Sequence, residues 1–460
     1  MRSRSHPALA ALSFALHLAS PSGGCAQSPP PQPIEAAAPQ PAPALDAAGR
    51  RLVADSIAKV LEGRYADSAV AVRLAAHLRA RLAAGAYDSQ TMPADLGVAI
   101  MRDLQSVIAD KHLRISYEPE REYTLAPASG PAGAPAGGAV RWNRIDGRDS
   151  ATIARTNFAF DAVERLPGNV GYLRLSQFVP LDYSRETAIA AMAFLANSDA
   201  MIVDLRDNVG GSPELVELIL SYFFDPEPVT LLTTYGRFAQ ITTERRTLRE
   251  IPGRRMPRAE LYVLTSGNSA SSAEMFAYAV QQTRRGTVVG ETTAGAGNGG
   301  AKLSVGFGLA LFVPQFQVID GPGFERTGVS PDVATPREEA LAMAHRMALE
   351  RLAAAEAEPR VKAERAWALE LLRAQQQPVA VDASELKRYA GTYGTRTIRI
   401  DGDRLVSVGS TGWKTPLVPL GNGIFRSPSE RLRFQSDVAG VVQSVMIEVM
   451  NGTTITRPRQ

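Results

Sequence analysis

Between Val170 and Gly290, short apolar runs with strand character alternate with helical ones. Val170–Leu175 (VGYLRL) alternates like a strand, and residues 185–197 have helical spacing. Residues 200–206 (AMIVDLR) read as a fully buried strand, and residues 213–224 as a helix with Pro213 suited to its first turn. Residues 261–265 (LYVLT), 273–285 and 287–290 (TVVG) repeat the pattern as strand, helix and strand. Parallel strands need such crossover helices, so the centre is expected to be α/β, a mainly parallel sheet with helices on its faces. Ligands of such sheets sit beyond the carboxyl ends of the strands.

The flanks differ from the centre. Leu52, Ile57, Val60 and Leu61, then Val70, Val72, Leu74 and Leu78, recur at helical spacing. They predict a small N-terminal helical domain over residues 49–125. Residues 129–139 (SGPAGAPAGGA) read as a loop or linker opening the central domain, 126–340. Residues 341–378 predict a helical connector, broken at Pro359. From 379 to 460, short alternating strands such as 397–400, 405–408, 431–434 and 445–449 lie between glycine turns. They predict a small antiparallel β-barrel-like domain.

The first 26 residues have the pattern of a secretory signal: Arg2 and Arg4, an apolar run over 8–19, then small residues around the sole cysteine, Cys25. Cys25 is either a lipidation site or part of a discarded leader, because Ser22 stands where a lipoprotein signal usually has Leu. The expected location is therefore outside the cytoplasm, in a periplasm or cell envelope, lipid-anchored if Cys25 is retained. Residues 27–48, rich in Pro and Ala, read as a tether. One cysteine excludes an intramolecular disulfide. The net charge of +3 falls to +1 without Arg2 and Arg4, so charge gives no reason to expect nucleic acid. A membrane contact is expected only through a lipid on Cys25.

Several segments have residue types suited to chemistry. Ser271, in Ser269-Ala270-Ser271-Ser272-Ala273-Glu274, falls between a strand and a helix, where free backbone N–H groups favour a developing negative charge. The same spacing is a capping box, and a cap and a nucleophile both fit there. Of the five histidines, His6 and His17 lie in the leader, and His77 and His345 read as helix-surface residues. His112 stands at an element boundary, before the strand-like Leu113-Arg114-Ile115-Ser116-Tyr117. In Asp204-Leu205-Arg206-Asp207-Asn208-Val209-Gly210-Gly211 a buried strand runs into paired glycines, which admit close backbone approach or simply form a turn. Glu325 is a lone loop acid, solvated or able to orient a histidine.

Together these segments resemble the tail-specific, or C-terminal-processing, serine peptidase superfamily. The resemblance is nearest to its branch similar to interphotoreceptor retinoid-binding protein and the tricorn core. It rests on Asp110-Lys111-His112, on Asp204 to Gly211, on Ser269 to Glu274 with Phe276-Ala277-Tyr278, on Val289 to Gly295, and on Glu325 to Asp332, in that order. It implies a crotonase-like core and an acyl-enzyme peptidase acting on peptides or unfolded proteins. In that mechanism Ser271 is the nucleophile, His112 the base, Glu325 its orienting acid, and Gly210, Gly211 and Ser272 the oxyanion hole. No cofactor or metal is implied.

The branch that uses a lysine base has it where this chain has Ala296, with Lys302 out of register, so the resemblance favours a histidine-assisted serine. Between Tyr123 and Asn169 there is too little chain for the PDZ domain of the lysine branch. Lys111 stands where the tricorn-like pattern often has a serine. Two rival readings remain on the same residues. One is a non-catalytic binder of peptides or hydrophobic ligands. The other is a crotonase-type acyl-CoA enzyme, disfavoured by the export signal because CoA is cytosolic.

Overall fold

A computed structural model of the chain describes residues 44–119, 150–409, 412–450 and 452–460. The leader with Cys25, most of the tether and the 129–139 stretch fall outside the described residues.

The centre is a six-stranded sheet. Val170–Leu175, Ala200–Asp204, Glu260–Thr265, Thr287–Gly290 and Val333–Ala334 run parallel, and Phe160–Leu166 adds an antiparallel edge. Leu173, Val203, Val263 and Val288 are in register across the four inner strands, and all are buried. The helices Leu181–Leu195, Pro213–Ser221 and Ser272–Gln282 contribute to the core on one face. Ala340–Ala355 and Pro359–Gln376 pack on the other. Burial on both faces explains why the inner strands read as continuous apolar runs.

The N-terminal helices Ala47–Arg64, Ser68–Ala83 and Pro93–Val107 share a core with a three-stranded antiparallel sheet. That sheet joins Arg114–Tyr117 to the hairpin Gly300–Gly306 and Leu309–Pro314, so segments nearly two hundred residues apart pair in register, as Arg114 does with Phe312. Ile57, Leu61, Leu74 and Leu78 point into this core as their spacing predicts, whereas Leu52 and Val72 are exposed. A second small sheet, formed by Thr230–Gly236, Ile241–Arg246 and Phe316–Val318, was not visible in the sequence pattern.

Pro359 occupies the first turn of its helix, which accounts for the break before it. His345, expected on a helix surface, is buried instead. Its helix is wedged between the sheet and the Pro359–Gln376 helix, and His345 Nε2 lies 2.9 Å from the Pro167 carbonyl. The C-terminal strands form an eight-stranded antiparallel sheet. It is nearly closed, with Tyr393 bridging to Arg459 and the Gln460 N–H donating to the Thr392 carbonyl at 2.9 Å.

Candidate active site

Three loops leave the carboxyl ends of neighbouring parallel strands and meet: residues 205–212, 266–271 and 291–298. Ser271 lies at the end of the second. Its backbone has φ 57° and ψ −116°, on the side of backbone space that non-glycine residues rarely enter. A serine held this way, at a tight strand-to-helix elbow, is pushed out of the line of the chain towards the site.

The elbow is fixed from several directions. The Ala270 N–H donates to the Asn208 carbonyl at 3.0 Å. Ser269 Oγ donates to the Leu205 carbonyl at 2.7 Å, and Ser272 Oγ donates to the Gly211 carbonyl at 2.7 Å. Glu274 lies beneath, fully buried. Its carboxylate accepts from the Ser271 N–H (2.8 Å), Thr293 Oγ1 (2.6 Å), the Gly295 N–H (2.6 Å) and the Ala296 N–H (2.8 Å). Burial pushes the Glu274 carboxyl above its usual range and these four donors oppose the shift.

The glycine turn presses against the elbow. Gly210 and Gly211 have φ of 96° and 135°. A Cβ on Gly210 would lie 2.7 Å from Ser271 Cβ, and one on Gly211 would lie 2.1 Å from the Phe178 carbonyl oxygen. Only glycine fits at either position. The Gly210 N–H is already used by Asn208 Oδ1 at 2.9 Å. Among the described residues, the Gly211 and Ser272 N–H groups have no acceptor. The strand leading into this turn is braced by Asp204, which accepts from Arg206 and from Tyr172 Oη at 2.7 Å.

His112 approaches on a different element. Its ring stacks on Phe312 with centroids 5.7 Å apart, and its Nδ1 is buried without a hydrogen-bond partner. Burial holds the imidazole below its ordinary pKa; Asp110 pushes it up and Arg114 pushes it down. Asp110 is itself buried. It accepts from the N–H groups of His112 (2.8 Å) and Leu113 (3.1 Å) and from Tyr65 Oη (2.6 Å). The adjoining Lys111 reaches the third loop, donating from Nζ to the Ala294 carbonyl at 2.5 Å.

Glu325 meets that same loop. Its Oε2 accepts from the Gly297 and Asn298 N–H groups at 2.7 and 2.8 Å. Burial, and after it Asp110, pushes its carboxyl above the usual range. Glu325 lines a cavity of about 200 Å³ together with Tyr65, Asn298, Gln317, Phe324 and Arg326.

The structure therefore packs Ser271 and Ser272 against the Gly210–Gly211 turn. Through Lys111 and Glu325, the His112 and Glu325 segments both touch the 294–298 loop. Among the described residues, no hydrogen bond joins the His112 ring to Ser271 or to Glu325. Ala296 donates its N–H to Glu274, and Lys302 Nζ pairs with Glu118 Oε1 at 2.7 Å. Sequence reasoning treated Glu274 as a helix cap and part of the serine motif, gave Asn208 and Asp110 no role beyond their place in the motifs, and passed over Tyr65. The S-x-x-E spacing signals the cap, but the other partners of Glu274 lie about twenty residues further on. Among the described residues, no group of three or more His, Cys, Asp or Glu is placed to hold a metal ion.

Comparisons with known proteins converge on one family. Residues 169–335 match the family described as peptidase family S41, and residues 44–138 match the N-terminal domain of that family in eukaryotic IRBP. A carboxyl-terminal-processing protease of Synechocystis sp. is 32% identical over 169 residues, covering 36% of this chain and 38% of that protein. A tail-specific protease of Haemophilus influenzae is 29% identical over 150 residues, covering 30% of this chain and 21% of that protein. The chain thus spans well under two thirds of either relative. Among solved structures, the photosystem II D1 C-terminal processing protease is 19% identical with a TM-score of 0.38, covering 63% of this chain and 93% of that one. The tricorn protease is 14% identical with a TM-score of 0.40, covering 71% and 37%.

Proposed function

Residues 169–335 are a peptidase family S41 domain, and from that premise we propose that the protein is an exported serine peptidase that cleaves peptide bonds through an acyl-enzyme on Ser271. The observation that carries this reading is the Ser271 elbow: a serine at φ 57° packed against a turn that only glycine can form. Beside it, the Gly211 and Ser272 N–H groups have no acceptor among the described residues.

In this mechanism Ser271 Oγ attacks the substrate carbonyl carbon and His112 takes the hydroxyl proton. The oxyanion is held by the Gly211 and Ser272 N–H groups, with Gly210 supplying the close approach rather than a free donor. His112 returns its proton to the leaving amine, and water, deprotonated by the same ring, releases the acid and restores Ser271. Glu325 orients the imidazole and stabilises its charged form. Burial keeps His112 neutral at neutral pH, as a base requires. The ring makes no bond to Ser271 in the free protein, so the relay is assigned to the substrate-bound state, where catalytic hydrogen bonds tighten. The names of the relatives, carboxyl-terminal-processing and tail-specific protease, support the carboxyl-terminal ends of polypeptides as substrates. Residues 1–26 act as the export signal, with Cys25 as the site of a lipid if it is retained.

Labelling with an alkyl fluorophosphonate and hydrolysis of a fluorogenic peptide test the assignment together. Ser271→Ala is expected to abolish labelling and to lower kcat roughly 10⁶-fold, with an unchanged melting temperature. Undiminished labelling of that variant would remove Ser271 from the mechanism. A wild type that binds peptides but neither labels nor cleaves would favour the binding-protein alternative.

A further inference from the structure

A second cavity, of about 250 Å³, is lined in part by Val209, beside the glycine turn. Ile153, Ala159, Val179 and Val209 give it an apolar side, and the exposed Thr156 and Asp161 also line it. Val209 is covalently joined to Gly210, the residue in closest approach to Ser271. Ser176, Gln177 and Val179 also line it, and the 176–179 segment clamps the glycine turn. The Val209 N–H donates to the Ser176 carbonyl (3.3 Å), the Phe178 N–H to the Gly210 carbonyl (2.8 Å), and the Ser212 N–H to the Phe178 carbonyl (2.6 Å).

Two further observations mark this as a built feature. Asn157, Phe158 and Ala159 are consecutive non-glycine residues with φ of 48°, 54° and 64°. Strain of this kind persists where surrounding structure holds it, and such strain clusters at ligand-binding segments. Here it turns the chain so that Ala159, the smallest residue of the three, lines the cavity and accepts the Ser176 N–H at 3.1 Å. Val209 is 61% exposed, an apolar side chain left uncovered one residue from the proposed oxyanion turn.

We infer that this cavity is the subsite for a bulky apolar side chain of the substrate, adjacent to the scissile bond. Leucine, methionine or phenylalanine would cover Val209 and fill the apolar side, while Asp161 repels an acidic side chain. The inference rests on the serine-peptidase reading above and adds its specificity.

The test uses two fluorogenic peptides differing only in Leu or Glu beside the scissile bond. The wild type is expected to favour the Leu peptide at least roughly tenfold in kcat/KM, the scale of a filled apolar pocket. Thr156→Trp, which narrows the cavity, is expected to remove that preference, with an unchanged melting temperature showing that the fold survives. Asp161→Lys is expected to raise kcat/KM for the Glu peptide, and it does not depend on the tryptophan variant folding. Intact labelling with no Leu preference, or with a preference indifferent to both substitutions, would overturn the subsite and leave the peptidase reading standing. A wild type that does not label would overturn the reading beneath it.

Discussion

At His112 several influences set the charge: burial lowers the pKa of the imidazole most, Asp110 raises it and Arg114 lowers it. The same Asp110 carboxylate raises Glu325. Asp110 is therefore a positioning residue for both members of the proposed relay. It holds the His112 backbone through its N–H and contributes a negative charge felt by the ring and by Glu325. A base below the ordinary histidine value of about 6.5 stays neutral, and the enzyme active, further into acid than an unperturbed histidine would allow. Asp110→Asn keeps an oxygen for the backbone bonds and removes the charge. Without that charge His112 and Glu325 both fall, so the acid limb of kcat/KM should move to lower pH. Profiles of both proteins between about pH 4 and 8 check this. A merely structural Asp110 would lower activity without moving the limb.

At the scale of elements, the third loop joins the site together, and Glu274 ties that loop to the Ser272–Gln282 helix. One buried carboxylate satisfies Thr293, Gly295, Ala296 and the Ser271 N–H. Glu274→Gln would replace one acceptor oxygen by an amide that faces donors. Leaving buried donors unpaired costs about 1–3 kcal/mol each, so a loss of roughly 2–4 kcal/mol is expected, with faster amide exchange across 293–298 and slower labelling of Ser271. Wild-type exchange in that loop would sink this account.

The same loop shows how far the sequence could be read. Ser271 and Glu274 were legible because their spacing is local. The parallel strands were legible because burial on both faces makes their apolar runs continuous. The hairpin at 300–314 was not, since its apolar residues find their place only by pairing with Arg114–Tyr117, nearly two hundred residues away, and covering the N-terminal helices. His345 was misread because the spacing does not show which side of its helix meets the sheet and the Pro359–Gln376 helix: His345 faces those layers while Arg351 stays exposed. The Gly210 N–H was assigned to an oxyanion hole before the structure showed Asn208 Oδ1 occupying it.

Across the whole molecule, the C-terminal sheet has its own core of Tyr389, Tyr393, Phe425, Leu432 and their neighbours. It meets the central sheet's layers through the Pro359–Gln376 helix. Arg426 is 1% exposed at that junction, and its guanidinium lies 3.8 Å from the centre of the Trp367 ring. Its Nε is 3.3 Å from Glu370 Oε2, its Nη2 donates to the Trp367 carbonyl at 3.2 Å, and among the described residues neither Nε nor Nη1 makes a hydrogen bond. Burial pulls its pKa down to about 10. Glu370 also accepts from Arg431 Nη2 at 2.8 Å, so one carboxylate serves two cations. This arrangement predicts an asymmetry. Glu370→Ala takes from buried Arg426 its nearest counter-charge, leaving only the more distant Glu448, and should cost about 3 kcal/mol. Arg426→Met removes the buried charge along with its pair and fills the same space with an apolar chain, so it should change stability by less than about 1 kcal/mol. Urea denaturation of both variants decides the matter, with peptide hydrolysis reporting whether the active site follows. If Arg426→Met proves the more damaging, the stacking on Trp367 outweighs the ion pair, and the junction is held by the aromatic ring instead of by charge.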